Sequence, residues 1–162
     1  MYLIREQLFR LGEQAEITDE SGQAVLQVDG KAFSLHNQLA VRDRFGTEVA
    51  EIRRKAAALS PTYRITMRGE KIADVRKHLS HPFGDRFTVE LAGSDQLEVV
   101  GDLLDHEFTV QRGDEVVATV SRRWFSVHDT YAVSVARAQD DFLILAIVLA
   151  LDLAEQQERA HR

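Results

Sequence analysis

The chain has 162 residues and 18.3 kDa, enough for one domain that removes roughly 70% of its unfolded surface from water. Lys and Arg number 20 against 26 Asp and Glu, a formal net charge of −6 that argues against a wholesale nucleic-acid coat; 44% apolar and 28% charged residues exclude a disordered or membrane-embedded chain. Cysteine is absent, which excludes disulfides, thiolate metal sites, cysteine nucleophiles and S-palmitoyl anchors and makes a reducing cytoplasm the simplest location.

From the N-terminus, Met1 to Leu11 mixes Arg5, Glu6 and Arg10 with Tyr2, Leu3, Ile4, Leu8 and Phe9, and so does not read as a secretory signal. Gly22, Gly46, Gly69, Gly93 and Gly113 then recur at a spacing of about two dozen residues, each in a polar turn between alternating apolar segments. Five hairpins are expected. Their second strands read Val25 to Val28, Val49 to Ile52, Ile72 to Val75, Leu97 to Val99 and Val117 to Val120. Residues two apart share a face of a strand, so Ala50 with Ile52, Ala73 with Val75 and Ala118 with Val120 are expected inward, while Glu51, Asp74 and Thr119 point to water. Alanine at equivalent inner positions leaves room for something bulky on the axis. Pro61 and Pro82 fall between hairpins, where a missing N–H does no harm to the ladder.

Tyr131 to Ala136 supplies a last strand, and Tyr2 to Leu11 a first one, bringing the expectation to about twelve. Phe142 to Leu151 is an unbroken apolar run flanked by Asp140, Asp141 and Asp152. At about 1.5 Å per residue it makes roughly 15 Å of helix, half of a bilayer core, which disfavours a membrane span. A helix apolar on all sides must be enclosed by its own protein, with Asp140 or Asp141 as its N-cap. A closed barrel of about eleven or more strands can surround a helix, whereas about eight fill themselves. The predicted fold is therefore mainly β: an antiparallel closed barrel of about twelve strands around a hydrophobic C-terminal helix. It forms one domain over 1–162, with 155–162 as a polar tail emerging into solvent.

Several segments carry a resemblance. They are Ile17 to Gly22, Asp43 to Ile52, Gly101 with Phe108, Val117 to Ser121, Asp129 to Val133, and Asp140-Asp141 leading into the apolar run that ends at Asp152. In this order they resemble the LURP-one-related proteins, whose barrel with a central helix is shared with the tubby C-terminal domain and the phospholipid scramblases. The resemblance implies the fold above all, since fold does not carry function with it. The tubby branch implies phosphoinositide binding through basic residues on the barrel wall. The scramblase branch implies calcium-linked lipid movement with palmitoylated cysteines, from which this cysteine-free chain departs.

Basic residues follow the inner strands: Arg53-Arg54-Lys55, Arg76-Lys77-His78 and Arg122-Arg123, with Lys31 in a looser equivalent. Repeated hairpins carry such positions to similar height, so these cations are expected on one rim or in one stripe, a candidate site for a phosphate or lipid headgroup. The plainer reading is of charged caps that protect strand ends. Among the histidines only His78 and His81 are close in sequence, and solvated loop positions fit them all better than a metal site. Asp105-His106-Glu107 and His128-Asp129 are not dyads by adjacency, because neighbours in a strand face opposite sides. Trp124-Phe125 fits packing at the barrel end better than a lipid layer, and Asp129 and Tyr131 are expected to order the turn into the last strand.

No hydrolase serine elbow, phosphate-cradling glycine loop or zinc-protease helix motif occurs, so no cofactor is implied and an enzyme has no residue to stand on. The expected function is a non-enzymatic cytoplasmic module, peripheral at a membrane, that binds anionic phospholipid headgroups or another phosphate-bearing ligand through Arg53, Arg54, Lys55, Arg76, Lys77, Arg122 and Arg123. The alternative is a structural or regulatory protein-interaction domain without a small-molecule ligand. Nucleic acid is not an expected partner, and the oligomeric state is left open.

Overall fold

A computed structural model describes residues 1–5, 14–29, 38–79, 86–122 and 129–161. Twelve strands run in chain order: β1 (Tyr2–Arg5), β2 (Gln14–Asp19), β3 (Ala24–Asp29), β4 (Gln38–Asp43), β5 (Glu48–Arg54), β6 (Thr62–Met67), β7 (Glu70–His78), β8 (Arg86–Leu91), β9 (Gln96–Asp102), β10 (Glu107–Arg112), β11 (Glu115–Ser121) and β12 (Thr130–Val135). The helix α1 (Asp141–His161) follows. Each strand pairs antiparallel with its chain neighbour, and β1 pairs with both β2 and β12, closing the barrel. A closed sheet has no edge to protect.

The five glycine turns lie where the spacing places them. Their geometry accounts for two of the segments that carry the family resemblance. In the β2–β3 turn the Asp19 carboxylate accepts the backbone N–H groups of Ser21 and Gln23, and its carbonyl accepts the N–H of Gly22. Asp43 does the same for Phe45, Thr47 and Gly46 in the β4–β5 turn. Gly22 and Gly46 sit at φ 83° and 82°, in the left-handed region that a side chain disfavours. The Ser21 hydroxyl, with those backbone donors, holds the Asp19 carboxyl below its usual value. Gly101 answers a different need: it faces Phe108 across β9–β10, and a Cβ there would stand 2.5 Å from the Glu107 carbonyl oxygen.

Register slips by one residue within β2–β3, β4–β5, β6–β7 and β10–β11, always toward the glycine turn. Each bulge adds the local twist that bends a sheet toward closure. Inside, the apolar faces of the strands and α1 form one core. Ala50, Ala73 and Ala118 are buried as expected. Residues 144–155 of the helix are buried throughout, so the apolar run is enclosed by the sheet. Asp140 is the N-cap: its carboxylate accepts the Leu143 N–H and its carbonyl that of Ile144. Asp141 instead accepts the Tyr2 hydroxyl, and burial with this bond pushes that phenol up to about 12. Among the described residues no helix is long and apolar enough to cross a membrane.

Two expectations need correction. Asp74 faces outward but is not in water; it is 2% exposed because long cationic side chains cover it. The chain stays helical beyond Asp152 and reaches solvent later than expected, with residues 159–161 exposed. The helix continues to His161, with Asp152, Leu153, Ala154 and Glu155 still buried, because the barrel supplies polar partners at that end.

Candidate functional site: one barrel mouth with two faces

Up-and-down topology sends β1, β3, β5, β7, β9 and β11 toward the end of the barrel opposite the glycine turns, and α1 runs out through that same mouth. Arg53, Arg54, Lys55, Arg76, Lys77 and Arg122, the described members of the basic set singled out from the sequence, therefore share one end. Strand alternation then divides them between two faces.

Arg53, Lys55 and Arg76 stand on the outer wall. Arg53 donates to the Gln38 amide oxygen at 2.8 Å and lies 3.3 Å from Glu51. Arg76 lies 3.2 Å from Glu90, and Lys55 lies 3.8 Å from Asp74. The register adds a residue that sequence reading missed: Arg64 of β6 is directly opposite Arg53 on one side and Asp74 on the other. Arg64 donates from Nε and Nη2 to the two Asp74 carboxylate oxygens, at 3.0 and 3.2 Å. The bulge between Ile65 and Thr66 pairs Thr66 with Lys71, turning Lys71 onto the same wall, 3.2 Å from Asp74. Burial pushes the Asp74 carboxyl up, but the bonds from Arg64 and Lys71, together with their charges, outweigh it and hold the group below its usual value. Lys55, Arg64 and Lys71 stand around this one acid, and with Arg53 and Arg76 they outnumber the carboxylates paired with them, Glu51, Asp74 and Glu90.

Arg54, Lys77 and Arg122 point inward instead, toward the C-terminal half of α1. Arg54 donates to the Gln157 side-chain oxygen at 2.8 Å, which also accepts the Tyr63 hydroxyl at 2.6 Å. Burial pushes the Tyr63 phenol up to about 12. The Lys77 ammonium is ion-paired with Glu158 and lies over the Phe87 ring. Arg122 donates to His106 Nδ1 at 3.1 Å; on the other side of that ring, Nε2 is 3.0 Å from Asp152 Oδ1. A donor at Nδ1 and a carboxylate at Nε2 select, for the neutral ring, the tautomer with its proton on Nε2.

Tyr131 stacks on His106 at 4.2 Å between ring centroids and donates its hydroxyl to Asp152. Its hydroxyl thus reaches the helix. Asp129 does take the left-handed turn conformation, at φ 69°. Arg123, Lys31, His81, His128, Trp124 and Phe125 lie outside the described residues. The His106–Asp152 pair joins a strand connection to the helix across the barrel, a relation that adjacency in sequence cannot reveal.

Among the described residues, two hollows flank this mouth. A cleft of about 410 Å³ is lined by Arg54, Lys55 and residues of the 56–61 connection, without a carboxylate. A smaller one of about 150 Å³ lies between Arg54, Tyr63, Lys77 and the Gln157 and Glu158 side chains. Leu59 of the same connection is fully exposed, as is most of Leu79 just beyond β7. Among the described residues, no group of three or more His, Asp and Glu side chains is placed to hold a metal ion.

These features define a closed antiparallel barrel that encloses its own C-terminal helix and carries a charged mouth. The LURP-one-related family model matches residues 1–152, and the chain belongs to that family. A curated relative is the uncharacterised protein YxjI of Bacillus subtilis (strain 168), 28% identical over 150 residues, covering 93% of this chain and 90% of the relative. An X-ray structure of a protein from Arabidopsis thaliana superposes with a TM-score of 0.66 at 18% identity, covering 94% of this chain and 90% of that one. That likeness establishes the fold alone.

Proposed function

We propose that the protein is a non-enzymatic binding module that takes an anionic, phosphate-bearing ligand on the outer wall of β5–β7, with a phospholipid headgroup as the leading case. One observation carries this reading: in a chain of net charge −6, Arg53 and Arg64 face each other across adjacent strands, with Lys55 and Lys71 at the buried carboxylate of Asp74 and Arg76 on the same wall. Like charges directly opposite in a sheet are destabilising, and a multiply charged phosphate bridging them relieves that repulsion. Near an anionic leaflet each such cation contributes about 1 kcal/mol, consistent with a peripheral, cytoplasmic-side module.

Of the cations first considered, Arg53, Lys55 and Arg76 belong to this wall, and Arg54 borders it through the cleft it shares with Lys55. His106, with its ring nitrogens bound to Arg122 and Asp152, links the barrel wall to the helix.

Co-sedimentation with phosphatidylserine-containing and purely phosphatidylcholine vesicles tests the proposal. Recovery is expected with the anionic vesicles only, and loss of it in the double variant Arg53→Glu, Arg64→Glu. Equal recovery on both vesicles, or recovery unaffected by the double variant, refutes it. Binding of inositol hexakisphosphate without vesicle binding would assign the wall to a soluble phosphate compound. The alternative of a protein-interaction domain is favoured by exposed Leu59 and Leu79. Its mark is capture of a reproducible partner that survives high salt, which a phosphate contact would not.

A further inference from the structure

The last turn of α1 brings Gln157 and Glu158 against Arg54, Tyr63 and Lys77, three groups that donate to anions. Glu158 is badly placed for a helical acid, close to the negative pole of the helix dipole. Lys77 compensates, and it is itself only 4% exposed, so its ammonium meets an anion at the position Glu158 now holds. The small hollow around this pair shares Arg54 and Pro61 with the larger cleft. That cleft opens a route in, and its lining adds the cation Lys55 and no acid.

We infer that the mouth is a carboxylate-binding site which the chain fills with its own Glu158. A small dicarboxylate would enter by the cleft, placing one carboxylate on Lys77 and the other between Arg54 and Lys55, and release the final helical turn. Two cationic ends, one in each hollow, favour a dicarboxylate over a single acid. Lys55 borders both sites, but Arg53, Arg64 and Arg76, which carry the outer-wall reading, lie on the other face of the sheet, so the two readings are separable by variants. A tethered group competes at an effective concentration of roughly millimolar or above, so Glu158 sets the affinity for anything from outside.

Glutarate is a suitable probe, titrated into the full chain and followed by calorimetry and backbone amide shifts. Its apparent Kd is expected to fall about tenfold or more in Glu158→Ala, and to fall in Glu158→Gln, which keeps the side chain's shape should the alanine variant not fold. Adding Lys77→Met should abolish the gain, whereas adding Arg53→Glu with Arg64→Glu should leave it intact. Neutral glutaramide should not bind. The inference is overturned if a folded Glu158 variant binds glutarate no more tightly than the parent, if the gain persists without Lys77, or if glutaramide binds equally. Gain with intact glutarate binding but no vesicle recovery would keep this site and discard the outer-wall one.

Discussion

From Ile144 to Leu151 the central helix is apolar and almost wholly buried, whereas from Asp152 to Glu158 it carries three acids and is held by named polar partners. Both stretches sit within the barrel or its mouth, but by different physics. Burial of an all-apolar cylinder is non-directional, so it favours enclosure without setting how far along the axis the helix stops or which way it is rotated. Hydrogen bonds from Tyr131, Arg54 and Tyr63 are directional, as is the Lys77 ion pair, and they fix that position. The apolar half supplies the affinity of helix for barrel; the polar half supplies its registry.

This contrast predicts graded responses. Ile147→Asp places an unpaired charge in the apolar half at a cost of several kcal/mol, comparable with a whole domain's stability of about 5–15 kcal/mol. The variant is expected to be unfolded or insoluble, and a soluble variant with a cooperative thermal transition would show that the apolar half is not enclosed. Asp152→Ala strands Tyr131 and His106 in the polar half. It should cost about 3 kcal/mol and lower the melting temperature by roughly 10 °C while the barrel still folds. If registry resides there, the amide spectrum should shift along the mouth and spare the glycine turns. Asp140→Ala removes only the cap at the other end of the helix, about 1 kcal/mol and roughly 3 °C, read in the same melt.

Much of the fold is written in local features. Gly22 and Gly46 announce their turns because a left-handed φ and an aspartate three residues earlier are requirements met within a few residues. The run Phe142 to Leu151 states its need for enclosure in its composition. Less of the site is legible. That Arg53 and Arg54 take opposite faces follows from strand alternation alone, and that signal was present in the sequence. Lys71 could not be placed in this way, since a bulge shifts it to the outer wall. Arg64 next to Asp74, and His106 next to Asp152, are pairings between elements and leave no mark in either segment.

By itself, then, the sequence determined the strand count, the turn positions and the buried helix. Periodicity and turn chemistry act over a few residues and are readable there. Only the tertiary structure decided that Asp74 is covered rather than hydrated, that Arg54 and Lys77 serve the helix rather than the surface, and that Glu158 occupies the mouth. Each of these depends on register and on where the helix comes to rest along the axis, quantities set by contacts between residues far apart in the chain.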